Sequence, residues 1–216
     1  TIKNFSVAGS VIGRNHVAGV LGTLTNGTVQ QVYNEATIEG NNNVGGIVGY
    51  IGQGTITQTY NRGEILGNAA VGGVVGYAYA AYNSRQNTIT HSYSAGEVSA
   101  NNTSVGGVIG TDAQATYNNN VRTNLYYDIT VIANYAQRKT YKPSTDPSAS
   151  GLNSSQMFEM KATQLTGFYF ETKTNTYGYY PQLTTFVDSK EPGIKLNSED
   201  SVKVEITTGL GTQGIP

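Results

Sequence analysis

Apolar and polar positions recur with a fixed spacing along the first 134 residues. Setting Thr1, Thr28, Thr55 and Thr88 in register gives starts that lie 27, 27 and 33 residues apart. The copies beginning at Thr28 and Thr55 share 13 of 27 positions, and a fifth, degraded copy runs from Val121 to Asn134. A fixed period of this length is the mark of stacked supersecondary units. Counting each copy from its first residue, the second position is Ile2, Val29, Ile56 and Ile89. The eleventh is Val11, Ile38, Ile65, Val98 and Val131, and the thirteenth is small: Gly13, Gly40, Gly67, Ala100 and Ala133. These positions sit in short β-branched runs bounded by Asn and Gly, with no sustained helical period. Each copy is therefore predicted to be several short strands joined by turns, and the copies to stack as coils.

The phrase "NVGGIVGY" (43–50) returns as "AVGGVVGY" (70–77), "SVGGVIGT" (104–111) and, more loosely, "HVAGVLGT" (16–23). Like positions in stacked coils lie about 4.8 Å apart. Val44, Val71 and Val105 then form one apolar column, Ile47, Val74 and Val108 a second, and Val48, Val75 and Ile109 a third. Strict alternation along one strand cannot put all three inside. The Gly pairs are expected to supply backbone angles that a Cβ forbids. Asn41-Asn42-Asn43, Asn68 and Asn101-Asn102 fall at one turn, where Asn tolerates left-handed angles. Asn4, Gln31, Gln58, His91 and Asn124 share the fourth position. Parity makes them an inward polar ladder, while an earlier bend would turn them to water.

The pattern changes after Asn134. Residues 1–134 hold 11 charged side chains and residues 135–216 hold 16. "RKTYKPSTDPSAS" (138–150) reads as a loop, and "NSSQMFEMKATQL" as a short helix capped by Asn153 or Ser154, with Met157, Met160 and Leu165 turned to a core. "GFYFETKTNTYGYYPQL" is aromatic and strand-like. The economical task for this tail is to cover the open strand edge of the last coil. Ser201–Thr207 alternates as a last strand or leads into a further domain. The expected organisation is 1–134 repeats, 135–187 loop, helix and aromatic cap, and 188–216 terminal strand or lead. The fold class predicted is all-β: a right-handed parallel β-solenoid of about five coils with a C-terminal capping segment.

Composition narrows the chemistry. The 13 basic and 14 acidic residues leave a net charge of −1 with no basic stripe, which argues against nucleic acid. There is no cysteine, so disulfides and thiol chemistry are excluded. No apolar run approaches a membrane span. The chain opens at Thr1 without Met or signal sequence, which reads as a piece of a longer polypeptide. Neither a metal site nor a cofactor is expected: His16 and His91 are out of register, and no HExxH motif or acidic calcium loop is present.

"TITQTYNRGEILGNAAVGGVVGY" (55–77) closely resembles the GLUG repeat through Gly46-Ile47-Val48-Gly49 and Gly73-Val74-Val75-Gly76. The segments Tyr60 to Ile65 and Tyr93 to Val98 match the same pattern, and "GYYPQL" (178–183) resembles the closing segment of such arrays. The resemblance implies an accessory module of large secreted or cell wall-attached bacterial proteins, among them immunoglobulin A-specific zinc metallopeptidases and adhesins. It carries over no catalytic residue. The fifth copy departs from the pattern, with Arg122 where the others have Ile or Val and Ile129 where they have Gly or Ala. It reads as a terminal coil beginning to cap the stack.

Three constellations are candidates for function. Glu64 and Glu97 share the tenth position and are expected to point outward, about 4.8 Å apart in the backbone. Carboxylates about 5–5.5 Å apart serve retaining glycosidases, yet Thr37 and Thr130 at that register offer no support. Tyr33, Tyr60, Tyr93 and Tyr126 share the sixth position, either as buried core aromatics or as an exposed stripe for sugars or a protein. The third and fourth copies carry insertions at one corner, "AYAAYNSRQN" (78–87) and "TDAQATYNNN" (111–120). Tyr79, Tyr82, Arg85 and Tyr117, with Asp112, are the candidate ligand-binding residues there, because loops on a rigid scaffold concentrate binding groups. The function expected is a non-catalytic extracellular module for adhesion, or for docking and spacing beside a catalytic domain, with a host protein or glycan as partner. The alternatives are a β-solenoid enzyme acting on polysaccharide and a stalk without ligand.

Overall fold

The computed structural model describes residues 1–79, 86–102, 104–113, 120–134, 149–171, 177–186 and 194–195. The first coil contains β1 (Ile2–Val7), β2 (Ser10–Ile12), β3 (Asn15–Ala18) and β4 (Leu21–Leu24). The second contains β5 (Thr28–Asn34), β6 (Thr37–Glu39), β7 (Asn42–Gly45) and β8 (Val48–Ile51). The third contains β9 (Gly54–Asn61), β10 (Ile65–Gly67), β11 (Ala69–Gly72) and β12 (Val75–Tyr79). The fourth contains β13 (Asn87–Ser94), β14 (Val98–Ala100), β15 (Val105–Gly106) and β16 (Ile109–Ala113). Each strand pairs in parallel with its counterpart one coil away, giving four sheets, β1-β5-β9-β13, β2-β6-β10-β14, β3-β7-β11-β15 and β4-β8-β12-β16. The register is the sequence register: Val29 lies beside Ile2 and Ile56, and Val71 beside Val44 and Val105. The chain is a parallel β-solenoid.

The fourth position of every copy adopts a left-handed backbone, with φ of 61° at Asn4, 52° at Gln31, 54° at Gln58, 46° at His91 and 55° at Asn124. This single bend breaks strand parity. Positions two and five, Val29 and Val32 in the second coil, both become fully buried three residues apart. The fourth-position side chains are instead half-buried or exposed, and Asn124 Nδ2 stands 3.0 Å from His91 Nε2. Left-handed angles suit Asn, Gln and His far better than a β-branched residue. The Asn-rich turn behaves differently. Of the residues quoted for it, only Asn43 is left-handed (φ 55°).

Alternation is also escaped through two separate apolar compartments. Val44 and Val71 pack with Ile38 and Ile65 between the second and third sheets. Ile47, Val48, Val74 and Val75 pack with Val29 and Ile56 between the first and fourth. An internal polar ladder stands between the compartments. Asn34 Nδ2 donates to Asn61 Oδ1 (2.8 Å) and to Ala36 O (2.9 Å), and Asn61 Nδ2 donates to Gly63 O (2.9 Å) and Ser94 Oγ (3.3 Å). The repeated Gly is explained here, and not by backbone angle: among the described residues the glycines with positive φ are Gly9, Gly27, Gly54 and Gly167. A Cβ on Gly46 would meet Asn61 at 2.7 Å, and one on Gly73 would meet Ser94 Oγ at 2.2 Å and Gly107 O at 2.3 Å. Close approach of the polar ladder removes the side chain at this position.

The fifth copy does not complete a coil. Strand β17 (Val121–Asp128) extends the first sheet, and the chain then forms α1 (Ile129–Asn134) in place of the expected strand through Val131. The ninth position is cramped in the coils before it: a Cβ on Gly63 would run into Ala36 O and one on Gly96 into Gly63 O, and Ala36 is the largest residue held there, so the branched Ile129 does not suit a continued coil. Asp128 starts the helix by accepting the N–H groups of Thr130 (2.7 Å) and Val131 (3.2 Å). Arg122 takes the inward second position and forms a bidentate pair with Asp112, both contacts 2.9 Å, while also donating to Asn87 O. Asp112 itself replaces Leu24, Ile51 and Ala78 of the earlier coils. An ion pair thus closes the apolar interior at this end.

The tail covers more than the last edge. Strand β18 (Ser150–Leu152) adds to β17, as a cap should. Helix α2 (Ser154–Phe158) follows, with Asn153 and Gln156 in a capping box, and Met157, Met160 and Leu165 are buried as expected. From there the chain runs along the flank of the solenoid. Phe168, Tyr180 and Phe186 pack on the sixth-position tyrosines, and Gly167 lies against Gln58. Strands β19 (Phe168–Tyr169) and β21 (Gln182–Leu183) pair with each other, as do β20 (Tyr177–Gly178) and β22 (Ile194–Lys195). Ser201–Thr207 lies outside the described residues.

Candidate functional site

Two columns of aromatic rings run along the solenoid. The first is the sixth-position ladder, with Tyr33–Tyr60 centroids 4.7 Å apart and Tyr60–Tyr93 5.1 Å apart, each pair within 3° of parallel. Tyr60 and Tyr93 are buried to about 1% exposure or less. Tyr93 Oη donates to Pro181 O at 2.6 Å, and Tyr180 Oη to Asp128 Oδ2 at 2.6 Å. Burial holds the Tyr60, Tyr93 and Tyr180 phenols neutral, their pKa values well above the ordinary phenol range. Asp128 raises that of Tyr180 further. Arg62 lies 5.8 Å over the Tyr180 ring. Tyr60 and Tyr93 are core, while Tyr33 and Tyr126 at the two ends of the ladder are half-buried.

The second column sits on the outer face of the fourth sheet. Position 24 points inward there, so position 23 (Thr23, Tyr50, Tyr77 and, one residue later in its copy, Thr111) points outward, in register from coil to coil. The Tyr50 and Tyr77 rings are 5.8 Å apart and within 8° of parallel. His16, left-handed at φ 53°, reaches across from the third sheet. Its ring stacks on Tyr50 at 5.2 Å and 11°, and its Nδ1 lies 2.9 Å from Thr23 Oγ1. Tyr79, two residues along the same strand, stands beside Tyr77 at 6.3 Å, tilted by 51°. His16 is exposed and the three tyrosines are half-buried. Rings this close and this parallel overlap in part, so the column is a continuous aromatic ridge with defined hydroxyl and imidazole groups.

Of the residues expected to bind a ligand, Tyr79 stands at the end of this ridge. Tyr82, Arg85 and Tyr117 lie outside the described residues. Tyr79 and Ala113, the last described residues before the two insertions, are paired in adjacent coils. Asp112 is no loop residue: it belongs to β16, and its side chain is held by Arg122 at about 9% exposure. Sequence reasoning missed His16, Tyr50 and Tyr77 as a site. The available signal was the outward column beside the buried twenty-fourth position.

The glutamate pair is corrected as well. Glu64 is half-buried, but Glu97 is 6% exposed and does not point to solvent. Neither lines the shallow groove at the turn after the second sheet, whose walls include Ile12, Arg14, Glu39 and Asn68. Among the described residues no group of three or more His, Cys, Asp or Glu is placed to hold a metal ion. No helix among them is long and apolar enough to cross a membrane.

Fold and site together define a parallel β-solenoid with one aromatic column packed under its tail and a second, half-buried column on the outer face of the fourth sheet. Among solved structures, the chain is similar to that of a putative immunoglobulin A1 protease from Bacteroides ovatus, with a TM-score of 0.57. Identity is 15%, over 85% of this chain and 75% of that one, so the likeness is one of fold. No family model matches the chain, and no curated protein does.

Proposed function

We propose that this chain is a non-catalytic docking module of a larger secreted or cell-surface bacterial protein, and that it engages its partner through the ridge of His16, Tyr50, Tyr77 and Tyr79. The observation that carries this reading is the difference between the two columns. The tail buries Tyr60 and Tyr93 of the sixth-position ladder, while His16 is exposed and Tyr50, Tyr77 and Tyr79 are half-buried on the outer face of the fourth sheet. Aromatic side chains supply large contact area at small entropic cost, which suits glycan and protein partners alike. The burial of Glu97 weighs against paired carboxylates at an open groove, and so against the polysaccharide-degrading alternative. The resemblance to GLUG repeats and the fold likeness to the Bacteroides ovatus structure both favour an extracellular, multidomain setting.

The test is a binding measurement on the purified chain with immunoglobulin A1 and a panel of immobilised glycans. Binding to one of them, reduced at least tenfold by Tyr50→Ala with Tyr77→Ala in a chain that is still fully folded at the assay temperature, supports the proposal. Binding that survives the double variant moves the site off the ridge, and turnover of any glycan restores the enzyme alternative.

A further inference from the structure

The Asn-rich turn after the second sheet carries a second surface. Position fourteen of the first four copies is Arg14, Asn41, Asn68 and Asn101. The column stacks through its backbone, with Asn41 N–H donating to Arg14 O at 2.7 Å and Asn68 N–H to Asn41 O at 2.9 Å. It walls one side of the shallow groove, a trough of about 480 Å³ that crosses the coils, while Ile12 and Glu39 of the twelfth position stand opposite. A Cβ on Gly40, between the two walls, would point inward at Val17 and Val44. The flanking side chains therefore point out, and bare backbone forms the floor.

The polar groups of this trough are unpaired within the protein. Other stacked carboxamides bond one another from coil to coil, as Asn34 does with Asn61 and Asn42 Nδ2 with Asn15 Oδ1 at 3.0 Å. Among the described residues, the side chains of Arg14, Glu39, Asn41, Asn68 and Asn101 make no hydrogen bond or ion pair. All but the half-buried Asn68 are exposed. Ile12 beside them is 76% exposed, more than any other large apolar side chain among the described residues.

We propose that this trough is a glycan-binding site that takes a neutral linear oligosaccharide laid along the solenoid axis. Carboxamide, carboxylate and guanidinium groups are planar, and each can bond two neighbouring hydroxyls of a sugar ring. Arg14 and Glu39 cancel in charge, which favours an uncharged chain. Ile12 offers apolar surface to the C–H face of a ring. Spacing argues against a peptide: the column repeats about every 4.8 Å, whereas an extended peptide repeats its same-side groups about every 6.7 Å. Equatorially linked pyranoses advance by nearly one coil per ring, so successive rings meet successive asparagines. The trough shares no residue with the ridge of His16, Tyr50, Tyr77 and Tyr79, so either surface can bind without the other.

The experiment titrates the full chain with cellohexaose, chitohexaose and mannohexaose, with hexagalacturonate and a mixture of random decapeptides as comparators. The side-chain amide signals of Asn41, Asn68 and Asn101 are followed by NMR. At least one neutral sugar is expected to shift them. Its affinity should fall at least tenfold in Asn41→Ala with Asn68→Ala, and no more than twofold in Tyr50→Ala with Tyr77→Ala. Arg14→Ala, a single exposed change, should weaken the same sugar at least threefold. The proposal is overturned if no neutral sugar shifts these signals, or if hexagalacturonate or the peptides shift them instead. Loss of sugar binding in the tyrosine variant but not in the asparagine variant also overturns it, and places the sugar on the ridge.

Discussion

The sixth-position and position-23 aromatic columns are products of the same repeat and meet opposite fates. Tyr60 and Tyr93 stack within 3° of parallel and are buried under Phe168 and Tyr180. Tyr50 and Tyr77 stack within 8° and stay half-exposed. Coil stacking aligns like residues in both cases, but it does not decide which column is core. That decision belongs to a segment outside the repeat, which lies along one flank and leaves the other. A ring ladder in a solenoid is thus structural or available according to its cover.

The sharpest way to break this comparison is to delete one ring from each column. Tyr93→Ala removes a fully buried ring and its bond to Pro181, and should cost about 3–5 kcal/mol in chemical denaturation. It should also open residues 153–186 to proteolysis. A loss no greater than that of Tyr77→Ala would mean the tail does not depend on the ladder.

Alkaline titration separates the columns without mutation. The folded-state pKa values of Tyr60, Tyr93 and Tyr180 are raised above the unfolded value. Their contribution is therefore fully present below about pH 10 and falls as pH rises beyond it, by up to about 1.4 kcal/mol per pH unit for each. Phenolate absorbance should rise first for exposed tyrosines, and for these three only as the fold is lost. A phenolate signal from all 16 tyrosines ahead of unfolding would refute their burial.

Smaller effects sharpen the contrast. Tyr93→Phe keeps the ring but strands the Pro181 carbonyl, at a cost of about 1 kcal/mol by denaturation. Tyr77→Ala should change stability least, within about 1 kcal/mol, because its ring is half-exposed and mainly loses stacking on Tyr50. Thermal melts of these two variants beside the parent chain check the ranking.

Much of this architecture was legible in the sequence because stacking turns position in a copy into position in space. The period, the apolar columns, the sixth-position ladder and the Asn153 cap all follow from local pattern. What escaped depends on contacts that spacing does not record. The bend at Gln58 and its counterparts shifts every later side chain off strict parity. Spacing puts Glu97 outside, yet the fold buries it, and spacing gives Gly73 a backbone-angle role where Ser94 across the coil excludes its side chain. The ridge at Tyr50 and Tyr77 was hidden in plain view, since the stronger tyrosine signal lay elsewhere.

The strap also sets an order of events. Tyr93 meets Pro181 only after 88 further residues have been synthesised. The coils ahead of it can stack through near-neighbour contacts as they emerge, whereas the flank must wait for the strap. Until then a row of parallel phenol rings lies bare on a growing stack, where another nascent chain could bind it. Covering that row is therefore a timed step: residues made well after the coils retire an adhesive surface.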